Sequence, residues 1–169
     1  MQVRPTSDRL RETLFNVIAP RIEGVRFLDL CAGSGAVGIE ALSRGAAHAT
    51  FVDRSRKMCG LIESNLDMCR VPEEQTEIVN ATAEDYLKQV HNRQVGPWDV
   101  IFFDPPYKDD YLEVLRLLSK REDSLLEREG LLITEHHHKN DLPGSVGGLI
   151  RSRILKQGDS ALSLYELTQ

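Results

Sequence analysis

Apolar positions along this chain follow two alternating patterns, one typical of strands and one typical of helices. The helical pattern predicts helices over residues 10–19, 36–44, 55–70, 83–90 and 110–119. Short apolar runs between them predict strands over residues 27–31, 49–53, 77–79, 98–104 and 131–135. Two further runs, 149–155 and 161–167, alternate apolar with polar positions around a Gly-Asp pair, which predicts an antiparallel hairpin.

This order of elements indicates an α/β fold. Strands that alternate with helices are characteristic of a doubly wound, mostly parallel sheet. The strand at 98–104 is apolar at successive positions, which suits a strand covered by helices on both faces. Five parallel strands and the C-terminal antiparallel hairpin make a predicted sheet of seven strands. With 169 residues, we expect a single domain over residues 1–169.

The charge and the cysteines narrow the choice of partners and compartment. The formal net charge of −5 argues by itself against a nucleic-acid-binding surface. The first 26 residues are nevertheless locally basic, with five Arg against three acidic residues. Three cysteines without a Cys-x-x-Cys pair indicate a reducing cytoplasm rather than a disulfide framework or a zinc site. No apolar run reaches the ~20 residues that cross a membrane.

A glycine-rich loop follows the first predicted strand. Gly33, Gly35 and Gly38 fit the G-x-G-x-x-G pattern, and Asp53 ends the second strand 20 residues after Gly33. Glycines allow a tight turn and the close approach of a ligand, while an acid at the next strand end accepts ribose hydroxyls. The pattern predicts a nucleoside-cofactor site for NAD or S-adenosylmethionine. A carboxylate inside the strand, Asp29, suits the ammonium group of S-adenosylmethionine and favours that cofactor.

The tetrad Asp104-Pro105-Pro106-Tyr107 follows the most apolar strand. Two prolines stiffen the loop and remove two N–H donors, so a carboxylate and a fixed carbonyl form an acceptor-only pocket. Such a pocket suits an –NH2 group, and Tyr107 offers a flat surface on which a base can stack. Because the lone pair of a base amine is delocalised, acceptors that hold both hydrogens favour a more nucleophilic nitrogen. With the glycine loop, the tetrad indicates methylation of a base amine.

At these two motifs the chain resembles class I S-adenosylmethionine-dependent methyltransferases that act on exocyclic amines, which implies a Rossmann-like fold. The run at 4–16, with its Arg-Pro-Thr, and the segment Glu-Ala-Leu-Ser-Arg-Gly-Ala at 40–46 narrow the resemblance. With them, the chain is similar to the bacterial 16S rRNA (guanine-N2)-methyltransferase family over nearly its whole length. The resemblance implies S-adenosylmethionine as cofactor and 16S ribosomal RNA, in a protein-bound small-subunit particle, as substrate. We also expect a monomer.

The resemblance assigns roles to individual residues. The implied cofactor-binding set is Asp29, Ala32, Gly33, Ser34, Gly35, Asp53, Arg54, Thr82 and Ala83, with the last two near the adenine. The implied catalytic set is Asp104, Pro105, Pro106 and Tyr107. The implied substrate-binding set, in a lid segment over residues 1–25, is Arg4, Thr6, Arg9 and Arg11. Family members usually carry a basic hairpin before the Arg-Pro-Thr run, where this chain has three residues, so we expect weak binding of RNA.

Other functions stay open at this stage. The tetrad is shared with methyltransferases of other base amines, such as adenine or cytosine in DNA, although no separate target-recognition domain is evident. An NAD-dependent oxidoreductase would need a catalytic dyad that we do not find, and a cofactor-binding module without activity is a third possibility. His136, His137 and His138 suggest a metal site. Adjacent side chains of an extended chain point to opposite faces, so we expect no metal there.

Overall fold

A computed structural model describes residues 5–93, 96–106 and 111–168, with side chains described from residue 8 to 90 and throughout the two later ranges. Its strands are β1 (Arg26–Leu30), β2 (His48–Asp53), β3 (Thr76–Asn80), β4 (Trp98–Phe103), β5 (Leu126–His137), β6 (Ser145–Val146), β7 (Leu149–Gln157) and β8 (Ser160–Leu167). Its helices are α1 (Pro5–Ile18), α2 (Ala36–Ser43), α3 (Arg56–Met68), α4 (Ala83–Arg93) and α5 (Tyr111–Leu118), with short 3₁₀ turns at Ala19–Arg21 and Glu73–Gln75.

The eight strands form one mixed sheet in the order β3-β2-β1-β4-β5-β8-β7-β6. Neighbouring strands from β3 to β5 pair in parallel, because helical crossovers connect them. Strands β8, β7 and β6 pair antiparallel. The predicted α/β fold with its C-terminal hairpin is confirmed. The predicted number of seven strands is wrong by one, because β6 has only two residues and therefore no periodicity to detect.

Side chains of the parallel strands alternate between two buried layers. In β1, Phe27 packs beneath α1, α2 and α3, whereas Leu28 packs beneath α4 and α5. Phe102 and Phe103 of β4 divide between the two layers in the same way. Both faces of the parallel strands are therefore covered by helices, and a ligand site is expected at the ends of these strands.

Helix α1 begins at Pro5, five residues before the predicted start. Proline is favoured in the first turn of a helix because the amide that it lacks would have no partner there. Thr6, a predicted substrate-binding residue, therefore lies in the first turn of the helix. Leu10 and Leu14, at helical spacing, are buried against the sheet and anchor this N-terminal helix.

The helices are short compared with the thickness of a bilayer. The 14 residues of α1 and the 13 residues of α3 fall below the ~20 that the hydrocarbon core requires. Across the described ranges, no helix is both long enough and apolar enough to cross a membrane.

Candidate functional site

The order in which the strands follow one another across the sheet reverses between β1 and β4. From β1 the chain continues to β2 on one side, whereas from β4 it continues to β5 on the other. In doubly wound sheets such a reversal opens a crevice at the carboxyl ends of the two strands, where ligands bind. Leu30 and Phe103 are register partners at these ends. The loops that begin at Cys31 and Asp104 therefore leave the sheet side by side and flank one crevice.

The glycine loop after β1 folds onto itself and onto β2. Gly33 and Gly35 have φ angles of 58° and 81°, in the left-handed region that glycine adopts without strain. The Gly35 amide donates to the Ala32 carbonyl at 2.9 Å. The Ala32 amide donates to the Val52 carbonyl, also at 2.9 Å. These bonds fix the path of the loop relative to the end of β2.

One peptide unit of this loop, between Gly33 and Ser34, has no hydrogen-bond partner among the residues that the structure describes. The unit before it is held because the Gly33 amide donates to Asp53 Oδ2 at 2.9 Å. The unit after it is held because the Ser34 carbonyl accepts from Asn65 Nδ2 at 2.9 Å. No group in the described part of the chain bonds to the Gly33 carbonyl or the Ser34 amide. The loop thus presents one backbone acceptor and one backbone donor to a polar ligand.

Asp53 ends β2, and its half-buried carboxylate contacts the glycine loop. Oδ2 accepts from the Gly33 amide at 2.9 Å, and Oδ1 accepts from the Ser55 amide at 2.8 Å. A carboxylate offers about four lone-pair positions, so two remain for a ligand such as a ribose diol. The side chain of Arg54 beside it is exposed. The structure therefore brings Asp53 and the glycine loop together.

Asp29 is predicted to contact the ligand directly, but the structure places it differently. Its side chain is only 2% exposed, and its Oδ2 accepts from the Gly38 amide at 3.1 Å, at the start of α2. The reason is its position in β1, because Asp29 lies on the face that α2 covers rather than at the end of the strand. Burial raises the pKa of its carboxyl from 3.8 to about 7. Asp29 therefore holds the first turn of α2, which directly follows the glycine loop.

We expect Asp29 to make the stability of the protein depend on pH. Since the folded chain binds this proton more tightly than the unfolded chain, the resulting stabilisation is complete below about pH 4 and is lost as the pH rises to about 7. The Asp29→Asn variant keeps an oxygen for the Gly38 amide but has no titrating group. The difference between the Tm of the variant and the Tm of the wild type should therefore shift in favour of the variant as the pH rises from about 4 to about 8. A constant difference in Tm over this range would contradict the burial of an ionisable Asp29.

Replacing Gly38 by alanine should destabilise the fold. A Cβ atom at Gly38 would lie 2.4 Å from the buried ring of Phe51, and such overpacking costs about 1–3 kcal/mol. Gly60→Ala is the matched control, because no atom lies within 4 Å of a Cβ at this position in α3. Alanine there should increase the free energy of unfolding by about 0.5–1 kcal/mol. Denaturant unfolding measures both variants, and equal stabilities would show that Phe51 does not restrict Gly38.

The residues predicted near the adenine lie at the carboxyl end of β3. Thr82 is exposed, and its Oγ1 accepts from the Asp85 amide at 3.0 Å, so that it caps α4. Ala83 is buried. The Ala81 amide before them donates to the Asp53 carbonyl at 3.1 Å. The structure thus places Ala81, which directly precedes Thr82 and Ala83, against the end of β2, and it gives Thr82 a capping role that the sequence pattern does not predict.

The Asp-Pro-Pro segment follows the last residue of β4. Asp104 is half-buried, Pro105 is buried and Pro106 is exposed. Tyr107 lies outside the described residues, so its stacking on a base stays a prediction. Beneath the segment, the ring of Phe103 meets the ring of Tyr111 edge-on, with 5.7 Å between the centroids. Asp104 therefore lies at the crevice, directly after a strand whose last residue is well packed.

The predicted substrate-binding residues of the N-terminal segment are only partly described. Arg4 and the side chain of Thr6 lie outside the described residues. Arg9 is exposed on α1. The guanidinium of Arg11 lies 3.3 Å from the carboxylate of Glu40 in α2. This ion pair ties α1 to α2, and it competes with the predicted contact between Arg11 and RNA.

The three consecutive histidines do not all point to alternating faces, contrary to the prediction. His136 is buried, with its Nε2 atom 2.7 Å from Ser163 Oγ. Because β5 ends at His137, the backbone turns, and the rings of His137 and His138 stack with 4.7 Å between their centroids. With Asp159, their possible ligand atoms lie within 4.8 Å of one another. The expectation that no metal binds here stays a prediction.

Two side chains of α3 contact the site without being predicted from the sequence. Asn65 donates to the Ser34 carbonyl, and the Cys59 thiol donates to the Asp53 carbonyl at 3.5 Å. Burial raises the pKa of the Cys59 thiol, which suits a protonated donor. Helical spacing relative to the buried Ile62 is the signal that could have found them, since it turns this side of α3 toward β2.

Comparisons with known proteins agree with the motifs. A family model described as "Conserved hypothetical protein 95" matches residues 1–166. Ribosomal RNA small subunit methyltransferase D of Escherichia coli (strain K12) is 36% identical over 97% of this chain and 79% of its own length. The Bacillus subtilis protein YlbH, named as a candidate rRNA methyltransferase, is 39% identical over 96% of this chain and 87% of its own.

A solved structure supports the same assignment. The Escherichia coli protein yhhF has a TM-score of 0.85 and 34% identity, with 100% of this chain and 92% of that chain covered. The predicted resemblance of these motifs to a methyltransferase family is therefore confirmed. This chain belongs to the Conserved hypothetical protein 95 family and is a homologue of ribosomal RNA small subunit methyltransferase D.

Proposed function

We propose that this protein is an S-adenosylmethionine-dependent methyltransferase that methylates the exocyclic N2 amine of a guanine in 16S ribosomal RNA. Its main support is the crevice between β1 and β4, where the glycine loop and the Asp-Pro-Pro segment begin next to the register partners Leu30 and Phe103. A methyl donor on the first loop and a base amine on the second would meet there. Homology to ribosomal RNA small subunit methyltransferase D supports RNA as the substrate.

The polar groups of the glycine loop fit S-adenosylmethionine. Its amino-acid group needs a hydrogen-bond acceptor and a donor, and the Gly33–Ser34 peptide unit offers one of each. Its ribose needs an acceptor for two hydroxyls, and Asp53 retains two lone-pair positions. Ala32 and Gly35 shape the loop, while Arg54, Thr82 and Ala83 border the adenine. Asp29 contributes indirectly, through the Gly38 amide.

The second loop is proposed to hold the guanine amine. Bound S-adenosylmethionine supplies a methyl group on a positively charged sulfur. The Asp104 carboxylate and the Pro105 carbonyl each accept one N–H of the amine, which counteracts the delocalisation of its lone pair. The stiff Pro105-Pro106 pair holds these acceptors in place, and Tyr107 stacks on the base. Orientation supplies most of the acceleration, and Asp104 can take the proton that the amine releases.

Residues 1–25 are proposed to form a lid that meets the RNA backbone. Their excess of Arg suits phosphate, and exposed Arg9, with Arg4 and Thr6, would make these contacts. Arg11 would instead hold the lid to α2 through Glu40. We further propose that residues 1–169 act as one domain and as a monomer in the cytoplasm. The proposed substrate is a small-subunit particle rather than naked RNA.

Two measurements test this function. Calorimetry should detect binding of S-adenosylmethionine, and no binding at about 1 mM ligand would exclude this cofactor at any useful affinity. Mass spectrometry should find one N2-methylguanine missing from the 16S ribosomal RNA of a deletion strain. Complementation with the wild type should restore it, and complementation with Asp104→Ala should not. Loss of a methylated base from DNA alone would favour the alternative substrate, and no lost methylation would refute the proposed reaction.

A further inference from the structure

Helix α3 has one polar side chain that reaches the glycine loop. Asn65 Nδ2 donates to the Ser34 carbonyl oxygen at 2.9 Å, across 31 positions of sequence. Asn65 is half-buried, and its helix is anchored to the sheet by Ile62 and Leu66, which are 0% and 5% exposed. The donor is therefore held in place by a packed helix before any ligand binds.

The contact acts on a part of the loop where glycines leave the backbone few steric restraints. Gly33 and Gly35 impose no side-chain barrier, so the peptide units beside them can change orientation readily. The Ser34 carbonyl and the Gly35 amide belong to one peptide unit. The amide end donates to the Ala32 carbonyl, and the carbonyl end accepts from Asn65. Both ends of this unit are therefore fixed.

The open peptide unit lies between two fixed neighbours. On one side, Asp53 holds the Gly33 amide. On the other side, Asn65 holds the Ser34 carbonyl. The Gly33–Ser34 unit between them has no partner among the described residues, and it is the unit that a ligand can bond. Its orientation follows from these two anchors, one on β2 and one on α3.

We propose that Asn65 is a positioning residue that holds the Gly33–Ser34 peptide unit in its binding orientation before the cofactor arrives. The inference rests on the proposed function in taking the cofactor to be S-adenosylmethionine. A loop that is already ordered loses less conformational freedom on binding. The effect therefore falls on the affinity for the cofactor rather than on the rate of transfer once both substrates are bound.

The Asn65→Leu variant separates positioning from stability. Leucine has the same branched shape, carries no N–H donor and is a better helix former, so the Tm should not fall by more than a few degrees. We expect the Kd and the KM for S-adenosylmethionine to rise about tenfold, which corresponds to ~1.4 kcal/mol. The kcat and the KM for RNA should stay within about twofold of wild type. Glu63→Gln, on the exposed side of α3, is the matched control and should change none of these values.

Amide hydrogen exchange tests the same anchor without any cofactor. In Asn65→Leu, the Gly35 amide should exchange about tenfold faster, while buried amides of β2 keep their wild-type rates. If the wild type binds no S-adenosylmethionine, the proposed function fails and the exchange rates still decide this inference. Unchanged exchange at Gly35 overturns it. A wild-type Kd in the variant, or a raised Kd that only accompanies a large fall in Tm, also overturns it.

Discussion

The Asp104→Ala variant is expected to transfer methyl groups about a thousandfold more slowly while it binds S-adenosylmethionine with wild-type affinity. Alanine removes the half-buried carboxylate proposed to hold and deprotonate the base amine, but it leaves the strand end beneath it intact. The bonds that shape the glycine loop come from Asp53 and Asn65, so the donor site should be unaffected. Single-turnover transfer of a labelled methyl group to small-subunit particles gives the rate, and calorimetry gives the affinity.

Two further variants set the scale for this result. Asp104→Asn keeps an oxygen acceptor but loses the charge and the capacity to take a proton, so we expect an intermediate rate. Asp67→Asn removes a carboxylate from the exposed side of α3 and should leave the rate unchanged. Undiminished methyl transfer by Asp104→Ala would show that Asp104 takes no part in the reaction. Loss of cofactor binding together with activity would instead assign Asp104 to the donor site.

The Asp53→Ala variant is expected to bind S-adenosylmethionine about a hundredfold more weakly. It loses the acceptor for the ribose and also the bonds that hold the Gly33 and Ser55 amides. Hydrogen bonds to a charged group contribute about 1.5–3 kcal/mol each, and about 2.7 kcal/mol corresponds to a hundredfold change in Kd. Calorimetry measures the change, and circular dichroism establishes that the variant is folded.

A cofactor analogue without the 2′-hydroxyl separates the two roles of Asp53. Wild-type protein should bind this analogue more weakly than S-adenosylmethionine, whereas Asp53→Ala should bind the two ligands alike. Asp53→Glu retains a carboxylate and should keep most of the affinity and the preference. If Asp53→Ala discriminates between the ligands as strongly as the wild type, the ribose lies elsewhere and Asp53 serves only to hold the loop.

Strand positions were predictable because their signals are local. The predicted strands at 27–31, 49–53 and 98–104 differ from β1, β2 and β4 by no more than one residue at either end. The start of β5 was predicted five residues late, at 131 rather than Leu126. Residues Glu127, Arg128 and Glu129 are exposed and interrupt the apolar pattern there, and the pairing of β5 with β4 shifts register between Leu126 and Leu131.

The surroundings of individual side chains were harder to predict than the strands. Asp29 has the sequence context of a ligand contact, but the helix α2 that packs over β1 buries it against the Gly38 amide. Arg11 has the context of a phosphate contact, but the packing of α1 beside α2 brings it to Glu40. In both cases a neighbouring helix supplies a partner within the chain.

Local order in the chain was enough to place Gly33, Asp53 and Asp104 at the ends of three strands of an α/β fold, because the position of each follows directly from the residues beside it. The pairing of β1 with β4 is what puts the first and last of these at one crevice, 71 positions apart in sequence. Asn65 reaches the Ser34 carbonyl only because α3 packs on the same face as α2. Helical spacing puts Asn65 on the buried side of α3, but which distant group it meets there depends on how segments far apart in the chain pack together.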